Sequence, residues 1–144
     1  VEEKALPGFS FMDHTADVRL RASGKDLDDL FRNAALGLFS LMSDVSVVNP
    51  RESRRLKASG TDLESLLVSL LSEILYQFEV SQTVFSDIRI CRLTNDPFRV
   101  EALAGGERYE PSRHPLRSHI KGVSYHGLWI EHGESWTAEI VLDV

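Results

Sequence analysis

Apolar residues fall at Leu27, Leu30, Phe31, Ala34, Leu38 and Leu41, and again at Leu63, Leu66, Leu67, Leu70, Leu71, Ile74, Leu75 and Phe78. Steps of three and four put each series on one side of an α-helix, so the pattern predicts two amphipathic helices. Each is preceded by the same local arrangement. Val18-Arg19-Leu20-Arg21-Ala22-Ser23-Gly24-Lys25-Asp26-Leu27 is echoed by Arg54-Arg55-Leu56-Lys57-Ala58-Ser59-Gly60-Thr61-Asp62-Leu63. In both copies an alternating strand runs through Ala-Ser-Gly into a helix. The glycine allows a sharp reversal, and Asp26 or Thr61 can accept a hydrogen bond from the first helical turn. Thr61 with Glu64 also has capping-box spacing. Two copies are too few for a solenoid, so they are two β-turn-α units in the N-terminal half of one domain.

The remaining chain alternates with period two. Phe85, Ile88 and Ile90 precede an Asn95-Asp96-Pro97 turn, and Val100 and Ala102 follow it. Residues 120–130 and 136–144 flank His132-Gly133-Glu134, which reads as a hairpin tip. Trp136, Ala138, Ile140 and Leu142 form one face of the last strand; Thr137, Glu139, Val141 and Asp143 form the other. Gly105 to Pro115 reads as a loop, and no stretch resembles an interdomain linker. The expected fold is α+β: two amphipathic helices packed on a largely antiparallel β-sheet, in a single domain spanning 1–144.

Composition narrows the function classes. The 144 residues are 42% hydrophobic and 26% charged, ordinary for one globular domain. No apolar run approaches the roughly 20 residues of a membrane-spanning helix, and no signal-peptide pattern opens the sequence, so a cytoplasmic protein without a membrane partner is expected. The lone Cys91 excludes an intrachain disulfide and a cysteine-rich zinc site; within its alternating strand it reads as a small core residue. Sixteen Lys+Arg against 22 Asp+Glu give a net charge of −6. The basic residues are scattered, with short clusters at residues 51–55 and 113–117, so any work on RNA is expected to pass through another protein.

Candidate chemistry lies at two places. Asp13-His14-Thr15-Ala16-Asp17 puts two carboxylates and an imidazole beside a strand, a donor set for a hard divalent cation or simply an Asx-type turn. The last residues, Leu142-Asp143-Val144, follow an alternating strand directly. If that strand lies beside the Asp17 strand, Asp17, Asp143 and the Val144 terminus converge, and a divalent cation relieves their repulsion. If it does not, Asp143 is an ordinary solvated residue. Ala104-Gly105-Gly106-Glu107 lacks a P-loop pattern and reads as a turn, and Ser124-Tyr125-His126 reads as strand positions rather than a dyad. His114, His119 and His132 read as surface histidines. Trp129 and Trp136 read as core or hairpin-packing residues.

The run Asp13-His14-Thr15-Ala16-Asp17-Val18, the first helix after Ala-Ser-Gly, the second helix after Gly60-Thr61-Asp62-Leu63, Ile120-Lys121-Gly122-Val123-Ser124-Tyr125-His126 and the closing Asp143-Val144 together resemble the archease family. The likeness extends from about Phe9 to the last residue. It implies a small α+β protein that is not an enzyme but activates an RtcB-type RNA ligase in tRNA splicing or RNA repair. Such an activator promotes guanylylation of the ligase and its multiple turnover, and meets tRNA or other RNA indirectly. It implies a divalent metal, calcium first and magnesium or manganese next, on Asp17, Asp143 and a main-chain or terminal oxygen of Val144. Asp13 and His14 support that pocket. The alternatives are a metal-dependent phosphoester hydrolase using Asp13 and His14 as acid-base groups, or a broader chaperone of RNA-modifying enzymes.

Overall fold

The structure is a computed structural model; it describes residues 4–6, 8–13 and 17–144, with side chains from 8–11 and 17–144. The elements are β1 (Lys4–Leu6), β2 (Phe9–Asp13), β3 (Asp17–Gly24), α1 (Leu27–Met42), a short 3₁₀ turn (Val45–Val47), β4 (Glu52–Gly60), α2 (Leu63–Ser81), β5 (Thr83–Asn95), β6 (Phe98–Arg108), β7 (Gly122–His132) and β8 (Trp136–Asp143). The α+β expectation holds, with the antiparallel strands divided between two sheets. Five strands run in the order β1-β2-β3-β8-β7, and three in the order β4-β6-β5.

The sequence repeat explains the division. Each copy contributes its strand to a different sheet, β3 to the larger and β4 to the smaller. Each helix then packs on both: α1 lies against β3 and β5, and α2 against β4 and β7. The core between them takes Leu30, Phe31, Ala34, Leu38 and Phe39 from α1, and Leu66, Leu67, Leu70, Leu71 and Ile74 from α2. These meet Leu20, Ala138, Ile140 and Leu142 of one sheet and Leu56, Ile88, Val100 and Ala102 of the other. One helical stripe therefore serves two sheets at once, which is why neither sheet needs a second apolar face.

Both helix starts are tightly packed corners. A Cβ on Gly24 would come within 2.7 Å of the Asp29 carbonyl carbon, and one on Gly60 within 2.6 Å of the Leu66 nitrogen. The glycines thus serve close approach of the strand end to the first helical turn. Asp26 accepts the Asp29 N–H at 2.8 Å. In the second copy the cap is not Thr61 but Asp62, the residue that aligns with Asp26. Asp62 accepts the Ser65 N–H at 2.7 Å, and Ser65 Oγ accepts the N–H groups of Asp62 and Thr61 at 3.2 and 2.8 Å. The capping box therefore uses Ser65 in place of Glu64.

Three local expectations are corrected. Residues 105–108, expected in a loop, continue β6, so Ala104-Gly105-Gly106-Glu107 is strand and not a turn. A Cβ on Gly106 would overlap the Val84 carbonyl, beside the register shift at Phe85/Asp87; the glycines let β6 pass beneath that irregularity. Cys91 is exposed rather than core. The register shift between Ile90 and Arg92 makes Cys91 an extra residue that breaks the inward-outward alternation. Finally, β7 does not alternate through Ser124-Tyr125-His126. Ser124 pairs with Val141 and Trp129 with Glu139, so β7 bulges over 125–128 and exposes Tyr125, His126 and Gly127. Trp136 packs as expected in the hairpin, stacked on His132 with centroids 4.0 Å apart. Among the described residues no helix is long and apolar enough to cross a membrane.

Candidate metal centre

Strand β3 pairs antiparallel with β8 along its whole length, and the last pair in that ladder is Asp17 opposite Asp143. The structure therefore brings together the two carboxylates that the sequence separates by most of the chain. Gly122 of β7 flanks Asp143 on its other side, and the Lys121 N–H donates to the Asp143 carbonyl at 2.7 Å. Val144 follows at the exposed end of the strand, 37% accessible. The Asp13 backbone, at the end of β2, pairs with Val18. The Asp13 side chain and all of His14 lie outside the described residues.

Directly opposed residues of an antiparallel pair have Cβ atoms about 5 Å apart, and like charges there destabilise the sheet. Among the described residues neither Asp17 nor Asp143 has an ion-pair partner, and Asp17 Oδ1 is buried with no hydrogen bond. An unpartnered buried carboxylate oxygen on a residue paired directly across the ladder from a second aspartate fits a hard divalent cation, which takes carboxylate and main-chain oxygens. Among the described residues no three His, Cys, Asp or Glu side chains gather at one point. Among the described residues the candidate donors are thus the two carboxylates, with the main-chain oxygen of Val144 next along the strand.

The same outer face continues into a cluster that sequence reasoning passed over. Arg19 and Arg21, on the Asp17 side of β3, donate to the two oxygens of Glu139 on β8 at 3.0 and 2.9 Å. Burial pushes the Glu139 carboxyl up, but the hydrogen bonds from Arg21 and Arg19 more than offset this and hold it below its ordinary value. Arg19 is consequently engaged with Glu139 and does not neutralise Asp17; its Nε is buried without a partner. The alternation of charged residues Asp17, Arg19 and Arg21 on one strand against Glu139 and Asp143 on another was the available signal. It becomes legible once the β3–β8 register is known.

A second polar centre was also missed. His114, read as a surface residue, is fully buried. Its Nδ1 accepts the Glu110 N–H at 2.8 Å, so the neutral ring carries its proton on Nε2, which donates to Glu107 Oε2 at 2.9 Å. Glu107 also receives the Asn49 N–H at 2.8 Å and both Arg113 terminal nitrogens at 3.2 and 3.1 Å. The Asn49 and Arg113 hydrogen bonds, with His114 adding to them against the opposing effect of burial, hold the Glu107 carboxyl down at about 2. This hub ties residues 109–114 to the segment before β4, and it is structural.

The model of the Archease protein family (MTH1598/TM1083) matches residues 9–144. The chain belongs to the archease family. It is 37% identical to the archease of Methanosarcina acetivorans over 139 residues, covering 94% of this chain and 95% of that one. It is 34% identical to the archease of Sulfurisphaera tokodaii over 137 residues, covering 94% and 98%. Among solved structures it is similar to a Methanobacterium thermoautotrophicum protein determined in solution, with a TM-score of 0.79, 30% identity and coverage of 96% and 100%. The fold also matches a Thermotoga maritima archease, described as a possible chaperone, with a TM-score of 0.64, 18% identity and coverage of 92% and 94%.

Proposed function

We propose that this archease is a metal-binding accessory protein that activates an RtcB-type RNA ligase in tRNA splicing or RNA repair, working in the cytoplasm and performing no catalysis itself. The observation that carries the metal reading is the buried, unpartnered Asp17 Oδ1 set directly across β3 and β8 from Asp143. Asp17, Asp143 and the main-chain oxygen of Val144 would hold the ion, with Asp13 and His14 supporting the pocket. Calcium suits an all-oxygen set of this kind, and magnesium or manganese are the next choices. Bound there, the ion would neutralise the opposed carboxylates and hold two strand ends in one geometry.

The chain's own residues prepare that edge. Lys121 pins the Asp143 carbonyl, and the Arg19–Glu139–Arg21 cluster locks the neighbouring positions of β3 and β8. A rigid acidic edge with the bulge at Tyr125–Gly127 beside it is suited to docking on a larger, basic partner. Family membership supports the identity of that partner: a ligase that is guanylylated on its own histidine, with guanylylation and repeated turnover promoted by this chain. RNA is then met chiefly through the ligase.

The test is multiple-turnover ligation by the partner ligase with calcium present. Asp17→Asn and Asp143→Asn should each reduce turnover by at least about tenfold while the circular dichroism spectrum and melting temperature stay within the usual range for surface changes. Full activation by the double variant would sink the proposal. Phosphoester hydrolysis by this chain without ligase, abolished in His14→Ala, would replace it with an enzymatic reading.

A further inference from the structure

In the short basic clusters visible in the sequence, Arg51, Arg113 and Arg117 are occupied. Arg113 is bound to Glu107, Arg51 lies 3.6 Å from the same carboxylate, and Arg117 donates to the Ser40 carbonyl and lies 3.9 Å from Asp44. The register of the three-stranded sheet builds a different basic surface from residues that are far apart in sequence. Across β4, β6 and β5, Arg55 lies opposite Leu103 and then Arg89; Lys57 lies opposite Glu101 and then Arg92; Ser59 lies opposite Arg99 and then Thr94. These positions alternate with Leu56, Val100, Ala102 and Ile88, which are buried under the helices, so they form the outer face of the sheet.

Arg55, Lys57, Arg89, Arg92 and Arg99 are all exposed. Within the rows the opposing carboxylate is Glu101, which lies 3.6 Å from Lys57; Asp87, paired with Arg32, and Asp96 lie at the two ends. Among the described residues Arg55, Arg89, Arg92 and Arg99 form no salt bridge. A cleft of about 210 Å³ opens at one end, lined by Arg92, Thr94, Asp96, Pro97, Arg99 and Glu101. A chain of net charge −6 thus gathers unpaired cations on one sheet face.

We infer that this face docks the phosphate backbone of a nucleic-acid strand. Protein interfaces are centred on apolar and aromatic anchors with charge kept to the rim. Here Leu103 is the one apolar side chain within the three rows, and they contain no aromatic. Backbone recognition asks for what the face carries: arginines, a lysine, and serine and threonine hydroxyls, with no need for base-reading groups. Successive outward residues repeat about every 7 Å along a strand, and neighbouring strands lie about 4.8 Å apart, so one extended strand of nucleic acid meets several cations at once. The absence of aromatics in the rows means that bases are not stacked, and the binding is sequence-independent and salt-sensitive. This contact is separate from the Asp17–Asp143 edge and needs neither metal nor ligase.

The experiment is fluorescence anisotropy of a labelled oligo(U) RNA of about 20 nucleotides, titrated with the full chain at about 50 mM salt, with chelator and without ligase. Wild-type protein binds with a dissociation constant in the range of about 10⁻⁵ to 10⁻⁴ M. The Arg55→Gln/Arg89→Gln/Arg92→Gln variant binds at least about tenfold more weakly, and its plot of log affinity against log salt is shallower by about 2. Lys25→Gln, away from the face, leaves both unchanged, and Arg99→Gln alone gives a smaller loss in the same direction. No binding by wild type, or equal binding by the triple variant with its melting temperature retained, overturns the inference. Competition by polyglutamate as effective as that by oligo(U) also overturns it, and assigns the face to an acidic protein surface. Since the assay contains no divalent ion, a failed metal site leaves its result intact.

Discussion

Replacing Glu107 by Gln keeps the shape of the hub and removes its charge. The Glu107 side chain is 7% exposed and serves Asn49, Arg113 and His114 together. The Asn49 N–H and the His114 Nε2–H both reach Oε2, so a Gln oxygen there can keep them, but its NH2 group then stands where Oε1 accepted from Arg113 Nη1, and the charge that paired Arg113 is gone. Breaking a buried ion pair costs about 3–5 kcal/mol when the orphaned charge stays buried. Arg113 is 36% exposed and can hydrate, which places the expected loss nearer about 2–3 kcal/mol. For a domain of this size that lowers the melting temperature by about 5–10 °C. The pH dependence gives an independent sign. Glu107 is held at about 2, below its ordinary 4.5, so its stabilisation is complete above pH 4.5 and is lost as pH falls towards 2. Urea denaturation between those pH values should show a steep loss of stability in wild type and a shallower one in Glu107→Gln. A change below about 0.5 kcal/mol at neutral pH, with parallel pH profiles, would refute the hub.

Asp62→Ala removes the accepting group of the α2 cap and should cost about 1 kcal/mol in urea denaturation, whereas Thr61→Ala, at the position predicted from spacing, should cost clearly less. Cys91 should react with a thiol reagent in the folded protein at a rate close to that of a free thiol, because the β5 bulge turns it outward; protection until unfolding would return it to the core.

Local patterning carried far in this chain. The two helical stripes land where the 3,4 spacing puts them, because an apolar face of that width can satisfy itself only against a core. The strand-Gly-Asp-helix repeat is likewise real, down to the equivalent caps at Asp26 and Asp62. What stayed hidden depends on pairing between distant strands. Periodicity cannot show that β3 and β4 enter different sheets, nor that a residue such as Cys91 is extra to the ladder, because a bulge is defined by its partner strand. His114 was hidden for a related reason: a polar, proline-bearing stretch looks solvated until Glu107 and Asn49 arrive from elsewhere to satisfy its ring. The basic sheet face is invisible in a linear count, since Lys57, Arg92 and Arg99 come from three strands and become neighbours through register alone. The Asp17–Asp143 juxtaposition stands between these cases. Spacing offered it as one of two options, the family likeness pointed to the residues, and the β3–β8 ladder sets them opposite each other.

The account turns on whether that opposed pair holds a cation, and isothermal titration of the folded chain with calcium tests this most directly. The predicted result is one calcium per chain, with binding lost in both Asp17→Asn and Asp143→Asn although both variants remain folded. Magnesium and manganese, titrated in the same way, establish the preference. A wild-type chain that binds none of the three ions, or variants that bind calcium as wild type does, would contradict it.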